Sequence, residues 1–183
     1  MQDRSLHPNT KVLMDAWQRM QSNPQHHAEE GPHTDDHADL IDSLFVLQRA
    51  DEGLWTFNTA GQTIKSLVGR ELVDHNFLQL WTGPDRAMVE AFVEAIRSDG
   101  APGIMRGRGE TMTGQRVEIE ITLAPLANRS VTPSKRRVLG LYQTLGGEPF
   151  LKGRPIWRHR VTMLAPPVSG MESPHLKLVA NNS

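Results

Sequence analysis

The sequence predicts one α+β domain: a five-stranded antiparallel sheet with short helices on one face, preceded by an amphipathic helix. Three observations predict it. Val117, Ile119, Ile121 and Leu123 alternate with Glu118, Glu120, Thr122 and Ala124, the period of two expected of a strand with one buried and one wet face. Residues 84–98 instead carry Met88, Val89, Phe92, Val93 and Ile96 at helical spacing. Along the chain, two strand patterns come first, several short helical patterns follow, and three strand patterns close the series.

The first element is residues 9–21, where Val12, Leu13, Ala16, Trp17 and Met20 recur at helical spacing and Asn9 or Thr10 can cap the start. An exposed apolar stripe needs a cover, so Val12, Leu13, Trp17 and Met20 are expected to pair with a second copy in a homodimer. Asn23-Pro24 stops this helical segment of residues 1–22, and residues 23–39 form an acidic, His-rich linker with little to bury. The domain proper spans residues 40–147. It opens with a hairpin: strand 44–49, a turn at Asp51-Glu52-Gly53, and strand 54–59 with Trp55 and Phe57 on one face. A short helix after Gly61 holds Ile64, Leu67 and Val68, and a second piece covers residues 77–81. In the long helix Pro84 suits the first turn, Asp85 suits the positive end of the dipole, and Asp99-Gly100 ends the segment. Strands follow at 103–109, 117–126 and 136–144, with a turn at Thr113-Gly114 and a polar loop at 127–134. Residues 148–165 read as a basic C-terminal extension and residues 166–183 as a disordered tail.

Composition bounds the chemistry. At 183 residues and 38% hydrophobic, the chain supports one core. It has no cysteine, which excludes disulfides, thiolate metal sites and cysteine nucleophiles. The first residues lack a charged-then-apolar leader and no apolar run approaches the roughly 20 residues that cross a bilayer, so a cytoplasmic protein without a membrane span is expected. The net charge of −1 hides an imbalance: residues 1–100 hold 16 acidic and 8 basic side chains, residues 101–183 hold 5 and 12. Arg106 and Arg108 share an orientation, and Lys135, Arg136 and Arg137 open the last strand, so Arg136 and Arg137 are candidates for a surface that meets an acidic protein partner. No nucleic-acid motif accompanies the charge, and nucleic-acid binding is not expected.

No catalytic constellation emerges, and an enzyme is not expected. His26, His27, His33 and His37 stand among carboxylates, but Gly31-Pro32 disfavours a rigid helix there and nothing apolar supports a second layer of ligands, so no metal is assigned. Gly69-Arg70 and the Gly107–Gly109 segment read as turns, no nucleophile elbow frames a serine, and His75 is the one histidine expected within the domain core region.

The element order resembles the PAS fold, and local phrases strengthen the comparison. Asn58-Thr59-Ala60-Gly61 resembles the end of the second PAS strand. Leu67-Val68-Gly69-Arg70-Glu71-Leu72 resembles the glycine-bearing phrase after a short helix. Phe77-Leu78-Gln79-Leu80-Trp81 followed by Pro84-Asp85-Arg86 resembles the passage into the long helix, and Thr113-Gly114-Gln115-Arg116-Val117 resembles the strand hairpin. More narrowly, the chain resembles a small PAS-like family found chiefly in alphaproteobacteria, over residues 9–160. The resemblance implies a stand-alone sensor or adaptor that relays signals to a signalling protein through contacts. It places a ligand pocket, if one exists, between the long helix and the sheet, lined by Phe77, Leu80, Trp81, Met88, Phe92, Val117 and Ile119. Haem-binding relatives place a histidine on the long helix, which has none here. Flavin photoreceptors place a cysteine where this chain reads Asp74-His75-Asn76 ahead of Phe77. No cofactor is therefore predicted, and an unidentified small apolar ligand stays open. The alternative is a small α+β enzyme or ligand carrier with a cone-shaped pocket.

Overall fold

A computed structural model describes residues 6–22, 38–50, 53–126, 137–167 and 177–178. The expected strand patterns form a single antiparallel sheet. Its strands are β1 (Leu44–Arg49), β2 (Trp55–Ala60), β3 (Gly103–Thr111), β4 (Arg116–Leu126), β5 (Arg137–Thr144), β6 (Ile156–Ala165) and the two-residue β7 (Lys177–Leu178), in the order β2-β1-β5-β4-β3-β6-β7. The first prediction is thereby corrected from five strands: β6 pairs along β3 from Ile156 to Ala165, where a basic extension was expected.

The helices are α1 (Pro8–Ser22), α2 (Ala38–Asp42), α3 (Gln62–Val68), α4 (Pro84–Asp99) and the one-turn α5 (Glu148–Leu151), with a 3-10 turn at Phe77–Leu80. Pro84 stands in the first turn of α4, Gly100 closes the helix in the left-handed region at φ 67°, and Val89, Phe92, Val93 and Ile96 are buried along one stripe. That stripe meets the sheet face formed by Met105, Val117, Ile119, Ile121, Leu123, Val138 and Tyr142, and the core lies between them. Close packing fixes Gly140 on β5: a Cβ there would sit 2.1 Å from the Phe45 ring.

The opposite sheet face is where the sequence expected water. Glu120 and Thr122 are instead fully buried, because α1 lies over them. The registers stack this face in rows. Ala165, Ile104, Thr122, Leu141 and Leu44 form one row across five strands, and Met163, Arg106, Glu120 and Gln143 form the next. Beyond them lie Arg160, Arg108 and Glu118, then Arg158, Glu110 and Arg116. The face thus grades from apolar and covered to charged and exposed.

Candidate functional site

On the core side, β1, β2 and the 3-10 turn bring four aromatic rings into contact. Phe77 is central: its ring centroid lies 5.6 Å from Phe45, 5.5 Å from Phe57 and 4.8 Å from Trp81. Asn76 positions this turn by accepting a hydrogen bond from the Leu78 amide on its side chain, at 2.9 Å. Trp81 passes the array on to His159 of β6 at 5.4 Å, and His159 Nε2 shares a hydrogen bond of 2.8 Å with the Tyr142 hydroxyl. Both residues of that pair are sealed from water.

Burial sets their protonation. It pushes the His159 imidazole down to about 4, with the Leu80 backbone opposing the effect and the positive charge of Arg70 adding a smaller push in the same direction as burial. That backbone does not reach Nδ1 in hydrogen-bonding geometry, so Nδ1 is left without a partner. Burial likewise raises the Tyr142 phenol. At neutral pH the pair is uncharged, and it is closed to any substrate.

The predicted pocket residues come together here. Phe77, Leu80, Trp81, Phe92, Val117 and Ile119 are core, and Met88 packs against them half-buried. All seven belong to or pack against one buried apolar cluster, in which Phe77 and Trp81 are in ring contact. A cavity of about 400 Å³ lies elsewhere, as an open groove among α2, α3 and α5 lined by residues that include Asp42, Gln62, Ser66, Glu148 and Arg154.

On the outer face a polar clamp holds α1. Glu120 Oε2 accepts from Arg106 Nε at 2.8 Å and Nη2 at 2.7 Å, while Oε1 accepts from the Thr10 hydroxyl at 2.7 Å and the His7 amide at 3.0 Å. All four contacts serve a carboxylate with no exposure, as a buried charge requires. Further along, the Trp17 indole donates to the Pro125 carbonyl at 3.3 Å. Of the residues expected to form a dimer stripe, Leu13 is buried against its own domain, Val12 and Trp17 are half-buried, and Met20 is exposed. Arg137 is exposed at the start of β5; Arg136 and linker residues 23–37, with all four linker histidines, lie outside the described residues. His75 is at the surface, and sequence reasoning missed His159.

Residues 5–143 match the family model of the PAS domain. This chain belongs to the PAS domain family. No curated protein matches it. Among solved structures, this PAS chain is similar to the LOV protein of Rhodobacter sphaeroides, at 16% identity over 63% of this chain and 67% of that one, TM-score 0.47. It is also similar to a fungal LOV domain photoreceptor, at 20% identity over 73% and 91%, TM-score 0.44. A third likeness is to the PAS domain of a Colwellia psychrerythraea protein, at 13% identity over 61% and 95%, TM-score 0.41. A PAS domain without cysteine cannot form a cysteinyl flavin adduct, whatever else it binds. No helix among the described residues is long and apolar enough to cross a membrane.

Proposed function

We propose that this chain is a sensor or adaptor of bacterial cytoplasmic signalling that acts by contact with a signalling protein and works as a homodimer. PAS domains are commonly sensory modules that mediate protein contacts. The observation that supports this role here is the docking of α1. Of its fifteen residues only Thr10 and Leu13 are buried; the Glu120 clamp, the Thr10–Thr122 hydroxyl contact, the Trp17–Pro125 hydrogen bond and the half-buried Val12 and Trp17 supply the rest of the attachment. Burying one leucine contributes about 2 kcal/mol and each hydrogen bond about 1 kcal/mol. A partner bound at micromolar affinity supplies about 8 kcal/mol, enough to exchange such a contact for another. The helix is therefore a movable element on a rigid sheet.

The homodimer uses the side of α1 that faces away from the sheet, centred on Met20. Replacing Met20 by Glu leaves Thr10, Leu13 and Trp17 in place, so melting at concentrations where wild type is monomeric should not change, while light scattering at high concentration shows the dimer dissociating. A wild-type chain that stays monomeric at high concentration would remove the dimer from this reading.

A further inference from the structure

We propose that the charged end of the outer sheet face, between Leu145 and Trp157, docks an acidic segment of a partner protein that carries an apolar anchor. The proposal rests on the signalling role above and names the surface that performs it. α1 runs along β4 from Glu120 toward Pro125, so it leaves the two outermost rows uncovered. These rows hold Arg108, Arg116, Arg158 and Arg160 against Glu110 and Glu118; Arg160 also lies 3.5 Å from the buried Asp85 of α4, so the excess is one positive charge (four minus three). One carboxylate serves two arginines: Glu110 Oε2 accepts from Arg158 Nη2 at 2.8 Å, and its Oε1 is 3.4 Å from Arg116. Those guanidiniums hold Glu110 below the usual carboxylate range. With five donors in each guanidinium fork, both arginines keep N–H groups for a second carboxylate.

Apolar side chains flank the charges. Trp157 is the extra residue of a bulge between Ile156 and Arg158; Ile156 points into the core and Trp157 stands 66% exposed. Leu145 lies beyond Glu118 on the other side, its amide donating to the Glu118 carbonyl, and Met112 projects from the adjoining hairpin turn at 81% exposure. Trp and Arg are the side chains that most often dominate protein interfaces. The occupant follows from the charges. Glu118, half-exposed at the β4 end of its row, would repel a continuous phosphate backbone, whereas separate carboxylates can settle on Arg108 of β3, Arg116 next along β4 and Arg158 of β6.

Strands about 4.8 Å apart make β4, β3 and β6 about 10 Å wide, the width of one extended segment or one helix. Such a face is smaller than a standard interface, so binding should be weak and sensitive to salt.

The full chain is titrated against a fluorescein-labelled peptide of alternating Glu and Leu, with unlabelled poly-Glu and oligo-dT as competitors, and anisotropy is read. The expected result is saturable binding that weakens with salt and falls about tenfold in both Trp157→Ala and Arg116→Glu at unchanged melting temperature. Arg158→Gln should weaken it less. Unchanged binding in both principal variants would overturn the proposal, as would oligo-dT displacing the peptide better than poly-Glu does. Loss of binding in Arg137→Glu but not in Arg116→Glu would move the surface to the other end of the sheet and also overturn it. None of these outcomes bears on the dimer, which the Met20 variant tests separately.

Discussion

Replacing Glu120 by Ala is expected to destabilise the protein by about 3–5 kcal/mol, the cost of breaking a buried ion pair on one side. Arg106 would lose the carboxylate that takes both its Nε and Nη2, and the Thr10 hydroxyl and His7 amide would lose the acceptor that fixes the start of α1. Urea unfolding should show the loss, and amide exchange should show α1 opening ahead of the sheet. Replacing the pair together, Arg106→Met with Glu120→Leu, should recover most of the stability, because an apolar pair of similar volume carries no desolvation cost. A single Glu120→Ala variant within about 0.5 kcal/mol of wild type would mean that α1 does not rest on this face.

Stability should fall steeply as pH drops from 6.5 to about 4, and His159 should account for much of the slope. The imidazole has its ordinary value of 6.5 when unfolded and about 4 when folded. Between those values the unfolded chain binds a proton that the folded chain refuses, so acid favours unfolding. The contribution is complete above pH 6.5 and has been lost below about pH 4. A difference of this size corresponds to about 3 kcal/mol. His159→Phe keeps a ring against Trp81 and removes the proton site. Its stability should be flatter than wild type across that window, as measured by urea unfolding at several pH values. Parallel curves for the two proteins would show that His159 is solvated.

The strength of each local pattern explains what the sequence revealed. β4 kept strict alternation and α4 kept its stripe, so both were read to within a residue or two. β6 escaped because two bulges, at Trp157 and near Thr162, break its period, leaving the inward Ile156, His159 and Val161 out of step. His159 was hidden for the same reason, in a run of Arg158 and Arg160 that reads as solvated surface. Glu120 and Thr122 were correctly placed on one face of β4, but only tertiary structure shows that α1 covers that face. The aromatic array joins residues 45, 57, 77, 81 and 159, a set that no local pattern links.

Native mass spectrometry of the purified chain tests the central claim most directly, because it reports assembly and bound ligand in one spectrum. A module that works through protein contacts should appear as a homodimer at twice the chain mass, and Met20→Glu should convert it to a bare monomer. A wild-type monomer in which every molecule retains the same small molecule would contradict the account. That spectrum would make the chain a ligand carrier.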